Sequence, residues 1–173
     1  RGVAVLTNAG GPGVTASDAL EANGMHLAAL SETTRLALGA ALPLAASLNN
    51  PVDMLASASP EQYAQCLRIL LADPGVQAVM VILPPPPMYT AGAVAKAVIP
   101  VIHNAEKPGR FALMGERLIQ EAVEHLRAAH VPEYRFPERA ASALAVLARR
   151  AEYLARAAQP PQACCAGAKG QAR

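Results

Sequence analysis

Gln77-Ala78-Val79-Met80-Val81-Ile82-Leu83 is an apolar, β-branched run bounded by Asp73-Pro74-Gly75 on one side and by four prolines, Pro84 to Pro87, on the other. It shows no apolar/polar alternation. A strand that is apolar on both faces belongs in the middle of a parallel sheet, where helices cover both faces. The flanking segments fit that reading. Val3 to Thr7 is a second short buried strand, followed by Asn8-Ala9-Gly10-Gly11-Pro12-Gly13 and a helix expected from Val14 to Asn23, where Asn23-Gly24 stops it. Met25 to Leu30, Arg110 to Met114 and Glu133 to Phe136 read as three further strands.

Helical signals fill the intervals. Ser59-Pro60-Glu61-Gln62 combines a capping Ser, a first-turn Pro and a Gln three residues after the Ser, with Tyr63, Leu67, Leu70 and Leu71 then falling on one face. Ser31-Glu32-Thr33-Thr34 starts a weaker helix that ends before Pro43, and Asn49 to Asp53 reads as an ordered turn. A helix from Ala91 towards Ala105 is expected to break or restart at Pro100. Another runs through Leu118, Ile119, Ala122, Val123 and Leu126, and a last one opens at Pro137 with Ala140, Leu144, Leu147, Ala151 and Leu154 on one stripe. Five strands alternating with helices predict an α/β fold, a flavodoxin-like doubly wound parallel sheet of about five strands over residues 1–158. In that order Val3 to Thr7 and Gln77 to Leu83 are central neighbours and Met25 to Leu30 lies beyond the first strand. Residues 159–173, with Pro, Gly, Ala and Lys and no periodicity, read as a linker or tail.

Composition excludes several classes of function. Aromatic residues are only 3% of the chain, so the core is built from Ala, Val, Leu and Ile, and there is no aromatic platform for flavin or single-stranded nucleic acid. The net charge of +2 arises from dispersed residues without a basic block, which argues against nucleic acid. No long apolar stretch is free of Pro and polar breaks, which argues against a membrane span. Three cysteines, Cys66 and the adjacent Cys164 and Cys165, make no disulfide framework and point to a reducing, cytoplasmic setting. Arg1-Gly2-Val3-Ala4 has neither Met nor a signal-peptide n-region, as a piece of a longer polypeptide would.

Ligands of open α/β sheets sit outside the carboxyl ends of the strands. The candidate site there is Asn8, Gly10, Gly11, Pro12, Gly13 and Val14, where glycines let backbone approach an anion and a helix start supplies N–H groups and a positive dipole end. Thr15, Asn50 and Asp53 are possible supporting residues; Asp53 is also read as ordering its own turn. Neither P-loop nor dinucleotide-binding spacing is present. His26, His103, His125 and His130 lack metal or triad spacing, so no catalytic histidine and no metal site are assigned.

Taken together, Thr7-Asn8-Ala9-Gly10-Gly11-Pro12-Gly13-Val14, Leu30-Ser31-Glu32-Thr33-Thr34, Asn50-Pro51-Val52-Asp53, Ala72-Asp73-Pro74-Gly75-Val76 and Pro137-Glu138-Arg139-Ala140 resemble one family. It is the carboxy-terminal flavodoxin-like CoA-ligase domain of NDP-forming acyl-CoA synthetases, the ADP-forming acetate–CoA ligases related to succinyl-CoA synthetase. The resemblance implies that acyl-CoA and phosphate give an acyl phosphate, that this phosphorylates a histidine, and that the phosphohistidine makes ATP from ADP. It implies too that the helix after Gly10-Gly11-Pro12-Gly13 stabilises the phosphoryl group while the histidine belongs to another domain. CoA, ADP or ATP and Mg would be bound elsewhere, and the implied partners are CoA-binding and phosphohistidine domains, an ATP-grasp domain or subunit, and small acyl-CoA. Two other readings stay open: a regulatory relative fused to an acetyltransferase, and a free-standing module for a small anion. On the first reading the 173-residue chain alone turns over no acetyl-CoA, phosphate and ADP in a coupled ATP assay; robust turnover would show that the missing groups are not needed.

Overall fold

A computed structural model describes residues 1–158. Six parallel strands and six helices alternate there: β1 (Gly2–Thr7), α1 (Gly10–Ala22), β2 (His26–Leu27), α2 (Glu32–Ala41), β3 (Val52–Asp53), α3 (Pro60–Ala72), β4 (Ala78–Leu83), α4 (Ala91–His103), β5 (Gly109–Leu113), α5 (Gln120–Ala128), β6 (Glu133–Tyr134) and α6 (Pro137–Ala157). The sheet order is β2-β1-β4-β5-β6, with β3 also paired to β1. This is the flavodoxin-like order expected from the sequence, with β1 and β4 adjacent over Val3↔Ala78 to Thr7↔Ile82. The tail assigned to 159–173 lies outside the described residues.

Every residue of β1 and β4 is buried, and their alternating side chains divide the core in two. Ala4 and Leu6 face the layer of α2 to α5, together with Leu38, Tyr63, Leu67 and Val98. Val3 and Val5 face α1 and α6, where the partners are small: Ala16, Ala19, Ala140, Ala141 and Ala145, with Leu20 and Leu144. Alanine at these positions lets the two helices lie close to each other and to the sheet.

Three expected elements differ in extent. β2 is only His26–Leu27 rather than Met25 to Leu30, because the neighbouring edge of β1 is shared. Gly2 and Val3 pair with β2, whereas Leu6 and Thr7 pair with β3, part of the segment expected to be a turn. Between them the Asn50 side chain bridges the gap, accepting from Val5 N at 2.8 Å and donating to Val3 O at 2.7 Å and Ala28 O at 3.0 Å. The second difference is α4, which runs unbroken through Pro100. Pro100 is exposed while Val94, Ala95, Val98 and Val101 are buried, so apolar packing outweighs the one backbone bond a proline removes. Third, α1 starts at Gly10, four residues before the expected Val14.

Side-chain caps from Ser31, Ser59 and Thr90 set the starts of α2, α3 and α4. Ser59 Oγ accepts from Gln62 N at 3.2 Å while Gln62 Oε1 accepts from Ser59 N at 2.9 Å, the capping box legible in the sequence. Asp73, only 2% exposed, ties the end of α3 to the start of α2: Oδ2 accepts from Ser31 N at 2.9 Å and Oδ1 from Gly75 N at 2.7 Å. Burial by itself would raise its pKa, but hydrogen bonds from Thr34, Ser31 and Gly75 outweigh it and bring the carboxyl from 3.8 down to about 2. A depressed folded-state value contributes stability that is complete above the unfolded value and is lost as pH falls through the folded one. Asp73→Asn is therefore expected to lower stability by roughly 2 kcal/mol at pH 7 and to flatten its fall between pH 4 and pH 2, as read by urea unfolding across that range.

Candidate functional site

β1 ends at Thr7, whose Oγ1 accepts from Ala9 N at 3.1 Å and donates to Ala9 O at 3.0 Å. This turn delivers the chain straight into α1, so Gly10-Gly11-Pro12-Gly13 forms the first helical turn and not a loop in front of it. Proline is tolerated there because its missing N–H would have had no partner within the helix. Ala9 at the N-cap has no side chain to accept from the first-turn N–H groups, and that turn contains no acidic residue.

The three glycines do not follow from backbone strain, for none has a positive φ. Nor do they follow from packing. A Cβ on Gly10 would sit 3.4 Å from Asp53 Oδ2 and one on Gly13 3.4 Å from Pro51 Cβ, both ordinary contacts, while one on Gly11 would meet nothing within 4 Å. Glycine in a helix costs about 0.5–1 kcal/mol relative to alanine, so the first turn of α1 is left bare at a cost in stability.

The other candidate residues divide into two groups. Asn8 is 4% exposed and its Oδ1 is buried without a partner, a polar atom next to the helix start that protein groups leave unsatisfied. Asp53 is in register with Thr7; its Oδ1 accepts from Leu55 N at 2.9 Å, with Leu55 at φ 70°, and its Oδ2 lies alongside Gly10. Val14 is exposed beside this turn. Thr15, by contrast, turns its hydroxyl back to Gly11 O at 3.4 Å, as Ser17 does to Gly13 O at 2.9 Å. Asn50 commits its amide protons to Val3 O of β1 and to Ala28 O after β2 and has no donor left for a ligand.

Two features were missed in the sequence. Tyr63, from the first turn of α3, is fully buried with an unpartnered hydroxyl; burial, and then the charge of Asp53, holds its phenol well above the ordinary range. Nothing distinguishes it from an ordinary core position in the helical pattern. The second is a cavity of about 350 Å³ between the starts of α1 and α6, lined by Pro12, Thr15, Met114, Phe136, Pro137 and Glu138. α6 also lacks a side-chain cap, so two uncapped helix starts border one space. Pro137 and Glu138 mark a helix start in the sequence, but only the close α1–α6 packing turns it towards this cavity.

The histidines take other positions. His103 Nε2 lies 2.9 Å from Ala129 O and His125 3.3 Å from Glu121. Among the described residues no three His, Cys, Asp or Glu side chains are grouped to hold a metal ion, and no helix is long and apolar enough to cross a membrane. Cys66 is buried, which pushes its thiol up to about 11; Cys164 and Cys165 lie outside the described residues.

Residues 3–160 match the Ligase-CoA domain family. The chain belongs to that family. This Ligase-CoA domain is 37% identical over 156 residues to the alpha subunit of the ADP-forming acetate–CoA ligase II of Pyrococcus furiosus, covering 87% of this chain and 34% of the relative. A solved protein of Pyrococcus horikoshii OT3 superposes with a TM-score of 0.82 at 39% identity, covering 88% of this chain and 36% of that one. The dinucleotide-forming acetyl-coenzyme A synthetase 1 of Ca. Korarchaeum cryptofilum, solved in complex with phosphate and ADP, gives a TM-score of 0.81 at 30% identity, covering 92% and 35%. The domain thus spans about a third of the length of these relatives.

The bare first turn has a direct test. Gly11→Ala is expected to leave the fold intact and to change stability by between zero and about 1 kcal/mol in the favourable direction. Gly2→Ala, whose Cβ would approach Gly75 O to 2.9 Å and Ala28 Cβ to 3.2 Å, should instead destabilise by about 1–3 kcal/mol. Paired urea unfolding curves read both, and a loss on Gly11→Ala as large as that on Gly2→Ala would mean that the turn needs glycine for its own folding.

Proposed function

We propose that the domain works within an NDP-forming acid–CoA ligase, using the first turn of α1 to stabilise the phosphoryl group of a phosphohistidine carried by another domain. The observation that carries this reading is Gly11: a helix-start position with ordinary φ, open space where a side chain would be, and no neighbouring cap. Such a turn presents backbone N–H groups and the positive end of the helix dipole to an incoming anion. The names of the relatives and the phosphate in one of their structures support the same chemistry.

In this reading phosphate attacks the thioester carbonyl of acyl-CoA, the carbon–sulfur bond breaks and CoA leaves, giving acyl phosphate. The histidine nitrogen then takes the phosphoryl group and releases the acid, and ADP takes it from the histidine to give ATP. Negative charge on the transferring phosphoryl oxygens persists throughout, so preorganised N–H groups need no reorganisation as the reaction proceeds. Asn8 stands at the same place, and only the Nδ2 end of its amide can donate to a phosphoryl oxygen, since the buried, unpartnered Oδ1 is an acceptor. Asp53 sets the opposite limit, since an anion beside its carboxylate is repelled, and it steers the phosphoryl group towards Gly11 and away from Gly10. In this reading CoA, ADP or ATP and Mg are bound by the CoA-binding, phosphohistidine and ATP-grasp partners.

Gly11→Asp separates stability from activity. An added carboxylate at an exposed helix start is ordinarily favourable by ~0.3–1 kcal/mol, so the fold is expected to persist while the carboxylate occupies the phosphoryl position. In the full enzyme, phosphohistidine formation from acyl-CoA and phosphate should fall by ~100-fold or more, followed by radiolabelled phosphate in single turnover. A folded variant that phosphorylates at the wild-type rate would reduce Gly10-Gly11-Pro12-Gly13 to a tight strand-to-helix connection.

A further inference from the structure

α6 is longer than the sheet it covers. Its 21 residues extend about 31 Å, whereas the six residues of β4 extend about 20 Å. Burial along α6 ends at Ala145, and beyond it the outward face carries Val146, Leu147, Tyr153 and Leu154, exposed by 59%, 37%, 57% and 49%. Their spacing, i, i+1, i+7 and i+8, places all four on one stripe of the helix surface, where helix-to-helix packing puts its contacts.

At the midpoint of that stripe stands Arg150, its guanidinium 5.5 Å from the centroid of the Tyr153 ring. It forms no ion pair among the described residues; the nearby acid, Glu152, is held by Arg1 at 2.7 Å. Behind the stripe a groove of about 430 Å³ opens between α6 and the start of the sheet, with Leu147 as the residue common to both.

We infer that the distal half of α6 is a docking surface for an amphipathic protein helix with an apolar stripe and a carboxylate at its centre. The carboxylate would pair with Arg150 while apolar residues on either side cover Val146 and Leu147, and Tyr153 and Leu154. Charge and shape select this occupant over three others. A second copy in register would bring Arg150 against Arg150, because the stripe is symmetric about that residue. Residues 159–173 contain no Leu, Ile, Val, Met or aromatic side chain, and their charged residues, Lys169 and Arg173, are cations. A membrane surface would meet the stripe but leave the groove behind it uncovered, whereas a helix can lay side chains into a groove.

The test uses the 173-residue chain and two synthetic helical peptides of about 20 residues, with leucines at i, i+1, i+7 and i+8 around a central Glu in one and a central Lys in the other. Saturable binding of the Glu peptide, read by fluorescence anisotropy and weakened at least ~10-fold by Leu154→Ser, is expected. Arg150→Glu should reverse the preference to the Lys peptide, with circular dichroism and thermal melts confirming that both variants stay folded. The inference is overturned if the two peptides bind equally or not at all, or if Arg150→Glu leaves the preference unchanged. It is overturned equally if phosphatidylserine vesicles outcompete the Glu peptide, or if sedimentation shows the wild-type chain to be a dimer through this stripe.

Discussion

The Asn50 amide stands where a strand would otherwise have to be. β1 is a central strand with β4 along one edge, and its other edge is met by β2 for two residues and by β3 for two more. Between those pairs the Asn50 side chain reproduces a strand's alternation of acceptor and donor towards Val5 N and Val3 O, and its second amide proton holds Ala28 O. Without it Val5 N and Ala28 O would lack these partners, at about 1–3 kcal/mol for each one unsatisfied, whereas Val3 O would keep its bond from Ala28 N at 2.9 Å. The consequence reaches the site. β3 follows Asn50 by two residues, so the amide sets the register of Asp53 against Thr7, and this register places the Asp53 carboxylate beside the first turn of α1.

A second constraint comes from small side chains on the opposite face of the sheet. Ala16 and Ala19 of α1 and Ala140, Ala141 and Ala145 of α6 are all buried there, and their size permits the two helices to run close together. Parallel strands with right-handed crossovers place helix starts at the carboxyl end of the sheet. Close packing therefore brings two positive helix ends to one cavity, an arrangement that is unfavourable unless negative charge is nearby. Glu138 supplies some from within α6 and Asp53 some beside α1. Gly11 remains facing open space, whereas Gly10 lies beside the Asp53 carboxylate.

Much of this was legible in the sequence. The apolar run ending at Leu83, the capping box at Ser59 and the proline at 137 each have a local cause, and each element formed where its local cause placed it. What the sequence hid was non-local. The split edge of β1 depends on one side chain imitating backbone, which leaves no periodic trace, so β2 looked longer and β3 looked like a turn. Gly10-Gly11-Pro12-Gly13 has poor helix propensity and reads as a loop, yet docking of Ala16, Ala19 and Leu20 on the sheet holds it as a helical turn. Within the candidate site, the place of Gly10 to Gly13 at the end of β1 was legible, but the helical turn they form and the Thr15 hydroxyl bonded back into it were not, and the committed donors of Asn50 and the proximity of Tyr63 to Asp53 arise only when distant segments meet.

α6 links the two ends of the molecule by ordinary helix physics. Its first turn is fixed by Pro137 and by burial of Ala140 and Ala141, while its last three turns stay helical with little burial because Ala, Leu and Arg there have high intrinsic propensity. Arg156 in the last turn also complements the negative end of the helix dipole. The Arg1–Glu152 pair, both side chains about 40% exposed, adds little energy but fixes the side of α6 that faces the start of β1. That orientation leaves the stripe around Arg150 turned outward. A helix that served only to cover the sheet could end soon after Ala145, and the polar residues that would suit a solvated extension are replaced by Val146, Leu147, Tyr153 and Leu154. Packing within the described residues thus accounts neither for the extra length of α6 and its apolar face nor for the bare turn at Gly11 at the other end.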